Sequence, residues 1–176
     1  MIKLLKSLLV ALLIPVCSYA AGWDDTEYKR IEQSIQQPKL SEKVYAITSY
    51  GAKTTATAAQ NQKDINRAIA LASKKCGGKV VIPTGTWNTG AIEMKSGVNL
   101  VIEEGATLHF AFEPKLYPLV RTAWEGLACW NYSPCIYAYK AKDIAITGKG
   151  TIDGGGNNDT WWQWNGNPRF GFKARV

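Results

Sequence analysis

Val80-Val81-Ile82, closed by Gly85, is followed twenty residues later by Leu100-Val101-Ile102, closed by Gly105. Farther on, Leu100, Ile102, Thr107 and Leu108 have counterparts in Ile144, Ile146, Thr151 and Ile152, each forty-four residues on, or two turns of twenty-two. β-Branched residues recurring near this period, with no helix between them, are the mark of strands stacked in parallel rungs. In such a stack each rung buries alternate residues in a narrow core, and glycines such as Gly85, Gly105 and Gly148 serve the sharp corners. A β-sandwich would instead place Asn-Gly or Asp-Gly turns between neighbouring strands at short, regular spacing. The only Asp-Gly is Asp153-Gly154, so an all-β solenoid is the better reading.

Upstream of the repeats lies one amphipathic helix. Asn61 is the expected N-cap, with Ile65, Ala68, Ile69 and Ala72 on one face, Lys74 and Lys75 at the negative end of the dipole, and Gly77-Gly78 beyond. An open solenoid end exposes unpaired backbone and apolar core, so the helix at about 61–75 is expected to act as an N-terminal lid. Before it, Val44 to Ile47 reads as a strand and Thr54 to Asn61 as a loop, while Glu27 to Gln36 suits a short helix stopped by Pro38. Residues 21–43 are a polar lead-in arm.

The first twenty residues set the compartment. Lys3 and Lys6 form a positive start, Leu8 to Val16 an apolar run, and Ser18-Tyr19-Ala20 a small-x-small cleavage site. Residues 1–20 are therefore expected to be a signal peptide, with Ala21 beginning the mature chain in a periplasmic or extracellular setting. The apolar run falls short of the roughly 20 residues that cross a bilayer, so no membrane partner is implied. Cys17 follows Val16, where a lipoprotein signal would want a small residue. Cleavage leaves Cys76, Cys129 and Cys135, an odd number that excludes a disulfide framework; Cys129 and Cys135 either pair across a short loop or act as small hydrophobes.

The chain of 176 residues has a formal charge of +7, which falls to +5 without Lys3 and Lys6. A basic surface suits an anionic partner or serves solubility alone. Nucleic acid is disfavoured, because the basic residues are scattered, the chain is exported, and no recognition helix or aromatic RNA motif is present. An acidic polysaccharide fits the compartment better. No metal-ligand cluster or cofactor motif is visible, which argues against a calcium-dependent lyase.

The residues also carry a resemblance. Tyr50-Gly51-Ala52-Lys53, the run Lys75-Cys76-Gly77-Gly78-Lys79-Val80-Val81-Ile82-Pro83-Thr84-Gly85-Thr86-Trp87, and Thr89-Gly90-Ala91-Ile92 are similar to the opening of glycoside hydrolase family 28, the polygalacturonases. The likeness runs on through Lys95 to Leu100, Gly105 to Leu108, Trp124-Glu125-Gly126, Asn131-Tyr132-Ser133-Pro134, Ile136-Tyr137-Ala138 and Ile144 to Gly154, and Trp161-Trp162-Gln163-Trp164 resembles the tryptophan cluster that follows. The Trp-Glu-Gly to Tyr-Ala stretch is similar to the bacterial, exo-acting or pectin-degrading branch. It implies a right-handed parallel β-helix of the pectin-lyase-like kind, occupying residues 44–164 here, that hydrolyses α-1,4-galacturonide links with inversion as a monomer. Inversion needs a carboxylic acid and a carboxylate about 6.5–9.5 Å apart to hold the attacking water.

The family supplies that chemistry from an Asn-Thr-Asp segment, an Asp-Asp pair, a Gly-His-Gly and an Arg-Ile-Lys on later rungs, and this chain matches none of them. Asp24-Asp25 precedes the solenoid, Asn157-Asn158-Asp159 comes several rungs too early, and His109, the sole histidine, lies between Leu108 and Phe110, where packing is the expected role. The tail 165–176 departs from the family pattern. The resemblance therefore implies an inactive N-terminal piece of such a hydrolase, capped at one end only; a non-catalytic binding solenoid and an inert gene remnant are the competing readings.

Arg121, Trp124, Glu125, Asn131 and Tyr132 are the candidates for sugar contact. An aromatic face stacks on a pyranose ring, and a guanidinium holds a carboxylate in two parallel bonds. A packed loop that orders the rung is the competing role, and it suits Glu125 and Asn131 better. Asp153, in a Thr-Ile-Asp-Gly context, is expected to bond nearby backbone amides at a corner, and the tryptophans Trp161, Trp162 and Trp164 to cover the solenoid wall.

Overall fold

A computed structural model describes residues 25–162. The expected signal peptide, Trp164 and the divergent tail lie outside the described residues. The chain divides into two units between Gln37 and Pro38. In the first, α1 (Asp25–Ser34) begins two residues before the expected Glu27 and buries no side chain. Its Glu27–Arg30 pair at 2.5 Å is exposed at both ends, so it adds little stability.

The second unit opens with β1 (Val44–Ala46), which passes directly into a 3-10 turn at Ile47–Tyr50. Next comes α2 (Ala58–Lys74). Its N-cap is Thr57, whose hydroxyl accepts from the Gln60 amide at 3.2 Å, and not the expected Asn61. Thr57-x-x-Gln60 is half of a capping box; the Gln60 side chain turns forward to Asp64 instead of back to the cap. Asn61 is fully buried one turn inside, bonded to both backbone groups of Lys53 and to the Asn88 carbonyl. Ile65, Ala68, Ile69 and Ala72 are all buried, as the apolar spacing predicts.

The strands then come in passes. The first runs through β2 (Gly78–Ile82), β3 (Gly85–Thr89) and β4 (Ile92–Met94). A second runs through β5 (Val98–Ile102) and β6 (Ala106–Phe110), with a 3-10 turn at Pro114–Leu116. It detours through β7 (Leu119–Trp124) and β8 (Leu127–Tyr132) before β9 (Ile136–Ala138). The third holds β10 (Ala145–Gly148) and β11 (Thr151–Asp153).

The first two passes visit three sheets in the same order, and the third returns to the first two of them. One sheet has the order β1-β2-β5-β10, a second β11-β6-β3 and a third β4-β9. All of these pairings are parallel. In register, Val80 lies beside Leu100 and Leu100 beside Ile146; Trp87 lies beside Leu108 and Leu108 beside Ile152; Ile92 lies beside Ile136. The chain is thus mostly strand, in parallel sheets. Alternation puts Val80, Ile82, Leu100, Ile102, Leu108 and Phe110 in one core, and α2 packs against β2, β3 and β4 of the first pass.

The expected offset of twenty residues holds between β2 and β5, and that of forty-four between β6 and β11. Between β5 and β10 it does not: Leu100 faces Ile146 and Ile102 faces Gly148, so the expected pairing of Leu100 with Ile144 is displaced by two residues. The cause is the corner. Only Lys149 and Gly150 separate Gly148 from Thr151, whereas four residues separate Ile102 from Thr107. A slip of two preserves the side-chain parity, so the face presented to the core is unchanged.

The hairpin β7–β8 is antiparallel and was not foreseen. Its two central residues, Glu125 and Gly126, have φ of 49° and 84°. Positive φ at both positions is the condition for the two-residue turn whose twist matches a hairpin. Glu125 takes the place usually held by Asn or Asp, which is why a search for Asn-Gly and Asp-Gly passes over it.

Candidate functional site

All five candidate sugar contacts fall on this hairpin. The register sets Arg121 opposite Trp130, Leu119 opposite Tyr132, Val120 opposite Asn131 and Trp124 opposite Leu127. Because alternate residues of a strand face opposite sides, Arg121 and Tyr132 share one face with Trp130, while Trp124 and Asn131 lie on the other. Glu125 is at the turn. One patch thus unites Arg121 with Tyr132 and leaves out the remaining three.

The hairpin is exposed along its length, including Trp124, Leu127 and Trp130. Among the described residues β7 pairs with β8 alone, which leaves its other edge without a strand partner. A cleft of about 570 Å³ runs beside it, bounded by Val120, Arg121, Thr122, Trp130, Tyr137 and Tyr139. Trp130, Tyr137 and Tyr139 were not among the candidate residues. Trp130 was within reach of sequence reasoning, because counting outward from Glu125-Gly126 as a two-residue turn places it opposite Arg121. Tyr137 and Tyr139 arrive through the pairing of β9 with β4, which no local pattern announces.

The carboxylates do other work. Asp153 accepts from the Gly155 amide at 2.9 Å, as its corner context predicts, and lies 2.7 Å from His109 Nδ1. The Gly155 amide first and the His109 bond second hold its carboxyl below the usual range. A general acid needs the opposite shift, so Asp153 is unsuited to protonate a leaving group at neutral pH. His109 is therefore not the packed core residue expected from its neighbours. Leu108 and Phe110 point inward, and His109 takes the opposite face, in register with Asn88 and Asp153.

Asn157-Asn158-Asp159 closes on itself: Asn157 Oδ1 accepts from the Asp159 amide at 2.8 Å, and the Asn157 amide donates to Thr160 Oγ1 at 2.9 Å. Trp161 packs edge-on against Phe112 and Tyr117, with ring centroids 4.8 and 5.1 Å away, whereas Trp162 is exposed. Cys76, Cys129 and Cys135 are free thiols. Burial pushes the Cys135 thiol and the neighbouring Tyr117 hydroxyl up, and Tyr117 donates to the Ala111 carbonyl at 2.8 Å. Among the described residues no group of three or more His, Cys, Asp or Glu is placed to hold a metal ion, and no helix is long and apolar enough to cross a membrane.

No family model matches the chain. A curated relative, an exo-poly-α-D-galacturonosidase of Dickeya chrysanthemi, is 36% identical over 124 residues, covering 65% of this chain and 20% of the relative. Among solved structures, a hyperthermoactive exopolygalacturonase from Thermotoga maritima superposes with a TM-score of 0.76 at 32% identity, over 86% of this chain and 34% of that one. A family 28 exopolygalacturonase from Yersinia enterocolitica gives 0.55 at 30% identity, over 65% of this chain and 21% of that one. The relatives and structural neighbours are thus polygalacturonases, each matched over part of its length. The chain spans about a fifth of the curated relative and about a third of the Thermotoga structure.

Proposed function

We propose that this chain forms the first coils of a right-handed parallel β-helix belonging to an exported polygalacturonase-like hydrolase of α-1,4-galacturonide links, and that these coils lack the catalytic carboxylates. The carrying observation is the return of successive passes to the same parallel sheets in register, as in Val80, Leu100 and Ile146. The similarity to exopolygalacturonases supports the substrate class, pectin or polygalacturonate. In this reading α2 is the N-terminal cap, residues 1–20 direct export to the periplasm or beyond, and the whole enzyme is a monomer that acts with inversion.

A non-catalytic solenoid that binds acidic polysaccharide is the second reading. The exposed Arg121 and Trp130, opposite one another on the β7–β8 hairpin, favour it.

One assay separates these readings. The purified 176-residue chain is incubated with polygalacturonate and new reducing ends are measured. In parallel, residues 38–162 replace the matching coils of the Thermotoga exopolygalacturonase. The expected result is no turnover by the chain alone and turnover by the chimaera. Release of galacturonate by the chain alone overturns the inactive-part reading, and a folded but inactive chimaera counts against the enzyme class.

A further inference from the structure

We propose that the groove along β7 is a binding site for an acidic oligosaccharide, with Arg121 holding a sugar carboxylate and Trp130 and Tyr139 offering faces to sugar rings. The uronic-acid identity of the ligand rests on the function proposed above; the groove as a ligand site does not.

Two hollows adjoin here. The cleft of about 570 Å³ beside Arg121 shares Val120 and Tyr137 with a second of about 350 Å³ that reaches Gln62, Asn66, Glu93 and Ser133. Each lies within the range of small-molecule sites, about 300–1,000 Å³, and the two stand side by side, with Val120 and Tyr137 as a shared wall.

The inner end is rigid. Gln62 donates to the carbonyls of Ala91 and Leu116, and Asn66 donates to Ala91 while accepting from the Glu93 amide. These bonds tie α2 to the start of β4 and fix one wall. Glu93, the carboxylate on this wall, is paired with Lys95. Ser133 lines the same hollow, 6% exposed, and its hydroxyl has no hydrogen-bond partner.

The outer end has the charge and the aromatic surface. No carboxylate lines it. Among the described residues Arg121 makes neither an ion pair nor a hydrogen bond, so its fork is free for a carboxylate. Lys140 Nζ stands 5.2 Å from the centre of the Tyr139 ring and brings a second cation to the same end. Trp130 and Tyr139 are 68% and 62% exposed, an unusual outlay of aromatic surface toward water beside an unpaired cation. A ring with apolar faces and a carboxylate on its edge satisfies both at once, with stacking for the faces and the guanidinium for the charge.

The test uses the full 176-residue chain, with folding of each variant checked by its backbone amide spectrum. A short oligogalacturonate is titrated in and followed by tryptophan fluorescence and calorimetry, beside a neutral cello-oligosaccharide of the same length. Expected are saturable binding of the acidic ligand, weakening by about tenfold or more in Arg121→Gln, and loss in Trp130→Ala. Arg121→Lys keeps the charge but not the fork and should fall between. Lys149→Gln, the same charge change away from the groove, should stay within about twofold. Absence of saturable binding, or binding indifferent to both Arg121→Gln and Trp130→Ala, overturns the groove while leaving the proposed enzyme class standing. Equal binding of the neutral ligand, with Trp130 required and Arg121 dispensable, overturns the acidic assignment and removes support from the polygalacturonase reading as well.

Discussion

Gly148 sits so close to Ile102 that a Cβ on it would stand 1.9 Å from the Ile102 carbonyl oxygen. The two residues are register partners in neighbouring passes, and the φ of Gly148 is +110°, a region that side chains avoid. Close approach and backbone conformation both demand glycine at this corner between the second and third passes. Gly148→Ala should therefore cost about 3 kcal/mol or more in urea unfolding, from strain and displaced backbone together. Gly154→Ala, where nothing lies within 4 Å, should stay within about 0.5 kcal/mol and serves as the control. Equal effects of the two would remove the corner from the account.

Asn61 offers a second test, because its side chain joins the loop before α2 to the far end of β3. It accepts from the Lys53 amide and donates to the carbonyls of Lys53 and Asn88, each at 3.0 Å. Removing it takes one hydrogen bond from each of three partly buried backbone groups, of which the Lys53 carbonyl keeps the Ala56 amide at 3.1 Å. Asn61→Ala should destabilise by about 2–3 kcal/mol, against about 1 kcal/mol for loss of the Thr57 cap in Thr57→Ala. A larger effect at Thr57 would mean that Asn61 is dispensable and that capping dominates.

The same residue shows how far local pattern reaches. Asn61 has the chemistry of an N-cap and precedes the apolar face of α2, so spacing alone assigns it that role. The true cap lies four residues earlier, and Asn61 is taken up by a contact with Asn88, twenty-seven positions away. The repeat was legible where corners match in length, as between Val80 and Leu100, and misread where Gly148-Lys149-Gly150 shortens one. His109 was misjudged from its neighbours' polarity, although strand parity with Leu108 and Phe110 already turned it outward. Of the groove, Arg121 was legible as a residue type, whereas Tyr132 lies outside it and Tyr137 joins Arg121 only through the long-range pairing of β4 with β9.

The cysteines should separate by reactivity. Cys76 is exposed, whereas Cys135 is half-buried beside Tyr117 with its thiol pushed up, which lowers the thiolate fraction that alkylation requires. With iodoacetamide near pH 8, Cys76 should label at least about tenfold faster than Cys135, read by peptide mass spectrometry at short times. All three thiols should label once the chain is denatured without reductant, since none is paired. A Cys129–Cys135 bridge in that experiment would contradict the free thiols of the structure.

Asp153 gives a pH dependence whose sign follows from its surroundings. The Gly155 amide and, after it, His109 favour the ionised form, so the folded-state pKa lies below the ordinary value of 3.8. A carboxyl depressed in the folded state contributes stability above its unfolded pKa and loses it as pH falls through the folded one. Asp153→Asn keeps an oxygen for the Gly155 amide but removes the charge. The stability gap between wild type and this variant should thus close as pH falls below the ordinary carboxylate range. Urea midpoints at a series of pH values measure that gap. A gap that stays open or widens below the ordinary carboxylate range would mean that the fold prefers the protonated form of Asp153, and would return it to consideration as a proton donor.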